Sequence, residues 1–149
     1  MEFMNEALKL AQKAYKQGEV PIGAIIVRNG KIIAKAYNNR ERTQQAINHA
    51  EILAIKKACK KLKSWRLDDC EMYVTLEPCA MCAGAILNAR LKIIHIACAD
   101  PSHGAVVSKY SLLTDGTLNH KAEIILGEYE TEAKQLIQTF FKNLRKNKK

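Results

Sequence analysis

The succession of a strand, a helix and a second strand between residues 71 and 98 constrains the fold more than any other feature. Glu71 to Leu76 and Leu91 to Cys98 are short runs of strand-forming residues, and Met81 to Asn88, opened by Pro78, has helical composition. Two strands joined by a helix of this length form a parallel pair, because the chain must cross one face of the sheet to return. The segment therefore predicts an α/β domain.

The flanking segments extend this sheet. Met1 to Gln17 has apolar residues at helical spacing and is followed by Gly18, which predicts a first helix. Ile22 to Val27 and Lys31 to Tyr37 flank an Asn-Gly step, which predicts an antiparallel hairpin. Four further elements are expected, namely a helix over Ala46 to Leu62, a loop over Asp100 to Leu118 with a helical turn near Ser108 to Leu113, a fifth strand over Ala122 to Leu126, and a closing helix over Glu128 to Arg145. The sum is a mixed sheet of about five strands with helices on both faces, a three-layer α/β/α domain.

Length and composition fit one globular domain over residues 1–149. The chain is 48% hydrophobic and 26% charged, which excludes collagenous, low-complexity and disordered classes. No apolar run approaches the roughly 18 to 20 residues that a membrane span needs, and the first ten residues mix charged with apolar positions, unlike a signal peptide. We therefore expect a cytoplasmic protein without a membrane partner, whose five cysteines are reduced thiols or metal ligands.

The chain carries a formal net charge of +9. A surface of this charge attracts polyanions, and nucleic acid is the commonest of them. A lysine-rich solvated surface on an enzyme that binds no nucleic acid would give the same charge. The charge alone leaves both interpretations open.

Two short motifs stand where predicted helices begin, His49-Ala50-Glu51 and Pro78-Cys79-Ala80-Met81-Cys82. The Cys-x-x-Cys spacing places both sulfurs on one side of the first helical turn, where free N–H groups and the helix dipole favour thiolates. Thiolate and imidazole are the ligands that zinc binds. His49, Cys79 and Cys82 thus make three ligands for one zinc ion, and a fourth position left to water is typical of a catalytic site.

Glu51 lies two residues after His49 and is poorly suited to bind the same ion. We interpret it as a proton shuttle beside the metal-bound water, because zinc lowers the pKa of that water to near neutrality and a nearby carboxylate can take its proton. The combination of His-x-Glu with Pro-Cys-x-x-Cys is the signature known from zinc-dependent nucleobase deaminases.

Other interpretations of these motifs stay open. Cys79 and Cys82 could be a redox pair, or half of a structural zinc site completed by Cys59, Cys70, Cys98 or another histidine. None of those three cysteines has a paired spacing, and single cysteines are most often small buried hydrophobes. Iron could also occupy a site of this composition.

The chain resembles the bacterial tRNA-specific adenosine deaminases over nearly its whole length. The segment Thr75-Leu76-Glu77-Pro78-Cys79-Ala80-Met81-Cys82-Ala83-Gly84 is highly characteristic of that family. The same order of motifs continues in Val20-Pro21-Ile22-Gly23-Ala24, Asn48-His49-Ala50-Glu51, Ser64-Trp65-Arg66-Leu67, Asp100-Pro101, Asn119-His120 and Phe140-Phe141-Lys142-Asn143-Leu144-Arg145.

The resemblance implies a homodimer of the cytidine-deaminase fold that converts adenosine to inosine at the wobble position of a tRNA anticodon. It implies that a zinc-bound hydroxide attacks C6 of adenine, that Glu51 protonates N1 and then the departing amine, and that ammonia leaves. The partner implied is the anticodon stem-loop, whose single-stranded bases can be splayed into a pocket at low cost. One zinc ion per subunit would be held by His49, Cys79 and Cys82.

The resemblance also implies substrate contacts around the metal, from Asn38, Val20, Leu76, Ala50 and Asp100. Outside the pocket, the closing helix is the main RNA candidate, because rings that stack on bases stand beside cations that meet phosphates in Phe140, Phe141, Lys142 and Arg145. We expect one of the two phenylalanines to be a core residue.

The loop after Asp100-Pro101 departs from the family pattern. Family members often carry a lysine there, whereas this chain reads Ser102-His103-Gly104-Ala105-Val106-Val107-Ser108, so a basic contact to RNA is missing. We interpret His95 as a structural histidine, and His103 and His120 as loop residues that face either substrate or solvent.

Two alternative functions compete with the tRNA deaminase. A deaminase of a free base or nucleotide, such as guanine or cytosine, would share the zinc core but leave the basic closing helix unexplained. An RNA-binding module with a structural zinc ion would leave Glu51 unexplained.

Overall fold

The computed structural model describes residues 2–147. The chain folds into a five-stranded sheet in the order β2-β1-β3-β4-β5. The elements in chain order are α1 Phe3–Lys16, β1 Gly23–Arg28, β2 Lys31–Tyr37, α2 Arg40–Thr43, α3 Ala50–Leu62, β3 Cys70–Leu76, α4 Ala80–Ala89, β4 Ile93–Cys98, β5 Glu123–Leu126 and α5 Glu130–Lys146.

The sheet is mixed, as the sequence predicts. Strand β1 pairs antiparallel with both β2 and β3, whereas β3, β4 and β5 run parallel to one another. Helix α4 connects β3 to β4, so the predicted crossover is confirmed. Since α4 follows the carboxyl end of β3, its first turn lies at that edge of the sheet.

Helices cover both faces of the sheet and form the outer layers. In β1, Ala24 and Ile26 pack into the main core with residues of α3 and α4. Their neighbours Ile25 and Val27 point the other way and join Leu10 of α1. Helix α5 contacts β3 and β4 and lies beside α1. The predicted three-layer α/β/α architecture with five strands is confirmed.

Two local predictions have the wrong bounds. The predicted helix over Ala46 to Leu62 begins at Ala50, after a separate short helix α2 whose first amides donate to the buried Glu19 carboxylate. The predicted helical turn near Ser108 to Leu113 is displaced along the chain, because the amides of Thr114 and Asp115 donate to the Ser111 carbonyl. The fifth strand and the closing helix are confirmed within a few residues. Among the described residues, no helix has the length and apolar composition needed to cross a membrane.

Candidate metal centre and adjoining cavity

Helices α3 and α4 pack against each other and bring both sequence motifs together. His49 is the N-cap residue of α3, Cys79 is the N-cap residue of α4, and Cys82 lies in the first turn of α4. The Nδ1 atom of His49 lies 3.7 Å from Cys79 Sγ and 3.6 Å from Cys82 Sγ. The three side chains predicted as ligands therefore converge on one point.

The spacing of these donor atoms fits a tetrahedral zinc ion. A Zn–S bond of about 2.3 Å and a Zn–N bond of about 2.0 to 2.1 Å, at a tetrahedral angle, place sulfur and nitrogen about 3.5 to 3.6 Å apart. The observed separations of 3.7 Å and 3.6 Å match that value. All three donor atoms lie within 4.8 Å of one another, and in the part of the chain that the structure describes no fourth side chain joins them. The donor set is therefore that of an open, three-ligand site.

The electrostatics of the sulfur pair favour a cation. A hydrogen bond from the Cys82 thiol, aided by His49 and the Cys82 backbone N–H, lowers the pKa of Cys79 to about 3. The pKa of Cys82 is raised, because its thiol donates to Cys79 and is buried. The centre thus holds a thiolate at a helix N-terminus, where a metal ion would displace the remaining thiol proton.

Glu51 is a buried carboxylate with a free oxygen beside this centre. The residue is only 3% exposed, and its Oε1 atom has no hydrogen-bond partner among the described residues. Burial raises the pKa of Glu51 to about 7. Since an unpaired buried carboxylate oxygen is costly, its position indicates a polar group that binds next to the metal centre. A carboxyl group with such a pKa can both take up and release a proton near neutral pH.

A cavity of about 580 Å³ opens directly onto the metal centre. His49, Glu51 and Cys79 line its floor. This volume falls within the range of about 300 to 1,000 Å³ that is usual for small-molecule and cofactor pockets, so a base with its sugar can enter.

The structure places four of the five predicted substrate contacts on the cavity wall, namely Asn38, Val20, Leu76 and Asp100. Asn38 is buried, its Nδ2 donates to the Val20 carbonyl, and its Oδ1 accepts from the Arg40 amide, so the side chain is held in place. Ala50 is fully buried and lies outside the lining, and its contact with substrate stays a prediction.

Asp100 has a turn-forming role as well. Its Oδ1 accepts hydrogen bonds from the backbone N–H groups of Ser102 and His103 and from the Ser102 hydroxyl. The other oxygen, Oδ2, accepts none from the residues that the structure describes. One carboxylate oxygen thus shapes the turn while the other can face the cavity.

The two phenylalanines of α5 differ in exposure, but neither belongs to a buried core cluster, so the expectation that one is a core residue is not met. Phe141 is 38% exposed and lines the cavity. Phe140 lies edge-on to Tyr15 of α1, with ring centroids 6.1 Å apart. Lys142 and Arg145 are exposed and lie outside the cavity lining. Phe141 is therefore the ring available to a ligand.

The remaining histidines and cysteines do not join the centre. His95 hydrogen-bonds Glu71 at 2.8 Å and stacks on Tyr73, and His120 hydrogen-bonds the Leu91 carbonyl at 2.8 Å. His103 lines the cavity rather than the metal centre.

Cys59, Cys70 and Cys98 are free thiols outside the ligand group, so none of them supplies the fourth ligand of a structural zinc site.

Sequence reasoning did not single out Glu77 as a functional residue. It is buried, and its carboxylate accepts hydrogen bonds from residues 23 to 31 positions later in the chain. Burial would raise the pKa of Glu77, but hydrogen bonds from Ser108, Val107 and Asp100 outweigh it and hold the pKa below its ordinary value. Its place in the Thr-Leu-Glu-Pro-Cys motif was the one available signal.

Comparisons with known proteins agree with this geometry. A family model described as MafB19-like deaminase matches residues 1–145. The tRNA-specific adenosine deaminase of Bacillus subtilis (strain 168) is 48% identical over 147 residues, which cover 99% of this chain and 91% of that protein. The tRNA-specific adenosine deaminase of Aquifex aeolicus (strain VF5) is 46% identical over 145 residues, covering 97% of this chain and 95% of that protein.

A solved structure gives the same result at the level of the fold. It comes from a study of A-to-I editing by tRNA:A34 deaminases at the wobble position of transfer RNA. The two chains superpose with a TM-score of 0.87 at 39% sequence identity, covering 90% of this chain and 97% of that one.

Proposed function

Since this chain belongs to the tRNA-specific adenosine deaminase family, we propose that it converts adenosine to inosine at the wobble position of a tRNA anticodon and releases ammonia. The observation that carries the proposal is the convergence of His49, Cys79 and Cys82 beside the free, buried Oε1 of Glu51 at the floor of one cavity. Metal ligands and a proton carrier in one pocket are what hydrolytic deamination requires.

We propose that His49, Cys79 and Cys82 hold one zinc ion per subunit. The donor spacing and the lowered pKa of Cys79 support this assignment. When bound in such a site, zinc acts as a Lewis acid that lowers the pKa of water to near neutrality.

Glu51 moves the protons of the reaction. Its Oε1 accepts the proton that the attacking water loses as oxygen bonds to C6 of adenine. The carboxyl group then delivers this proton to N1. The carboxylate next takes the second proton of the former water from the oxygen now bonded to C6 and delivers it to N6. The C6–N6 bond breaks, ammonia leaves, and inosine remains with a carbonyl at C6 and a proton on N1. The net reaction consumes one water, and Glu51 returns to its starting state.

The cavity wall orients the base. Asn38 offers a side chain already fixed by two hydrogen bonds, and Val20 and Leu76 supply apolar contacts to the ring. Asp100 Oδ2 accepts from a ribose 2′-OH, a contact that would distinguish RNA from DNA.

Phe141 stacks on an RNA base at the mouth of the cavity, and the exposed cations of α5, Lys142 and Arg145, meet phosphates. Phe141→Ala is therefore expected to raise the KM for an anticodon stem-loop about tenfold, since base stacking contributes about 1 to 3 kcal/mol. Phe3→Ala is the matched control, because the Phe3 ring lies 5.3 Å from that of Tyr73 and outside the cavity lining, so its loss should lower the melting temperature instead. Phe140 is unsuitable as a control because its ring packs edge-on against Phe141. Steady-state kinetics and thermal melts of both variants check the prediction; equal effects on KM would contradict it.

The proposed function is tested with zinc-loaded protein and an anticodon stem-loop that carries adenosine at the wobble position. Free adenosine, guanine and cytidine are incubated in parallel, and inosine and ammonia are measured. We expect turnover of the stem-loop alone, because only that substrate can use both the cavity and α5. Turnover of a free base or nucleoside with an untouched stem-loop would overturn the RNA assignment and leave the deaminase chemistry in place.

We further propose that the protein acts as a homodimer in the cytoplasm, with residues 1–149 forming one catalytic domain. The match to a relative over 99% of the chain supports the single domain. The homodimer and the cytoplasmic location follow from the family resemblance. Light scattering during size-exclusion chromatography measures the mass, which should be twice the 16.7 kDa of the chain.

A further inference from the structure

We infer that Glu77 is a positioning residue. Its carboxylate holds residues 100–108, here called the wall loop, against the start of α4 and thereby sets the shape of the substrate cavity. This inference rests on the proposed function. Glu77 also lines the cavity, but both oxygens of its carboxylate accept hydrogen bonds from the wall loop. It acts through the loop that it holds.

The hydrogen bonds of Glu77 converge from one segment. Its Oε2 atom accepts from the backbone N–H groups of Val106 at 3.0 Å, Val107 at 2.8 Å and Ser108 at 2.9 Å. Its Oε1 atom accepts from the Asp100 N–H at 3.0 Å and from the Ser108 hydroxyl. Since Glu77 is only 3% exposed, water does not compete for these bonds. The carboxylate is therefore the centre around which the wall loop folds.

The wall loop contacts the segment before α4 and also lines the cavity. Glu77 directly precedes Pro78 and Cys79, and the Pro78 carbonyl accepts a hydrogen bond from Ala105 at 2.9 Å. At the other end of the loop, Ser102 and His103 line the cavity. A displacement of the carboxylate would thus move one cavity wall while leaving the ligands on α3 and α4 in place.

Gly104 shows that the loop is fitted to this carboxylate. A Cβ atom at Gly104 would lie 2.2 Å from Glu77 Cδ, which no real contact allows. The Glu77 carboxylate occupies the space that a side chain at position 104 would need. An amide at position 77 would place its NH₂ group opposite N–H donors, because every partner of Glu77 in the wall loop donates. This arrangement therefore requires a carboxylate at position 77 and a glycine at position 104.

The test compares Glu77→Gln with the wild-type protein in zinc content, stem-loop affinity and hydrogen exchange. We expect zinc content to stay unchanged and the Kd for the stem-loop to rise about tenfold or more, because charge-assisted hydrogen bonds are lost from a buried site. The amides of Val106, Val107 and Ser108 should exchange faster, while those of α4 keep their protection. Affinity unchanged from the wild type, or loss of zinc, would overturn the inference.

Gly104→Ala provides a second, independent variant if Glu77→Gln folds poorly. It keeps the charge but forces the carboxylate aside, so it should weaken stem-loop binding in the same way. Glu71→Gln is the matched control, since Glu71 lies on β3, the strand that Glu77 directly follows, and pairs with His95 rather than with the wall loop. It should leave affinity unchanged, and an equal loss there would overturn the inference.

Failure of the proposed function would be visible separately. If the wild-type protein deaminates a free base and not the stem-loop, the proposed function is wrong, and the same comparison of Kd with that base still decides the role of Glu77.

Discussion

Glu51→Gln is expected to lower the rate of inosine formation by about 10² to 10⁴-fold, the contribution usual for a general acid–base group. Glutamine has nearly the same shape as glutamate but cannot carry the proton from water to the base. The loss should fall on kcat, because the side chain moves protons in the transition state and is not needed to hold the RNA. The free Oε1 atom and the raised pKa of Glu51 are the observations behind this expectation.

The experiment measures single-turnover inosine and ammonia release together with zinc content and stem-loop affinity. Zinc and affinity should equal those of the wild type, since Glu51 is neither a ligand nor part of the RNA-contacting helix. That combination would also exclude an RNA-binding module with a purely structural zinc ion. A variant that keeps zinc and more than about a tenth of the wild-type rate would show that another group carries the proton.

The sheet could be predicted because its signals are local. The strand, helix, strand succession around α4 and the Asn-Gly hairpin between β1 and β2 each lie within about 30 residues. Elements whose ends depend on distant partners are harder to place. The short helix α2 depends on Glu19, whose carboxylate accepts hydrogen bonds from amides 22 and 23 residues later, and periodicity carries no sign of such a contact.

The residues of the candidate site also divide into those with local sequence signals and those that depend on contacts with distant residues. The proposed ligands and Glu51 occupy fixed spacings at helix starts, so the sequence motifs alone point to them. Asn38, Val20 and Asp100 reach the cavity only through tertiary packing, and the family resemblance is what points to them. Glu77 escapes sequence reasoning because its partners in the wall loop come 23 to 31 residues later. Local spacing predicts the chemistry, whereas the shape of the pocket requires the fold.

Cys82→Ser is expected to abolish zinc binding and to reduce deamination below about 1% of the wild-type rate, since zinc binds the thiolate of cysteine and not a neutral hydroxyl. Cys82 is fully buried and its sulfur lies 3.6 Å from His49 Nδ1, so no other side chain can take its place without moving α4. Metal analysis of the purified variant and ammonia release from the stem-loop provide the two measurements.

Chelation of the wild-type protein separates loss of metal from loss of fold. The apoprotein should lose activity and regain it when Zn²⁺ is added, whereas Cys82→Ser should regain none at the same Zn²⁺ concentration. Cys59→Ser is the matched control, because Cys59 lies on α3 with a free thiol outside the ligand group, and it should keep both zinc and activity. If Cys82→Ser retained one zinc ion per chain and normal turnover, the three-ligand centre would be wrong. A fourth protein ligand or a different metal site would then have to support the reaction, and the role assigned to Glu51 would lose its geometric basis.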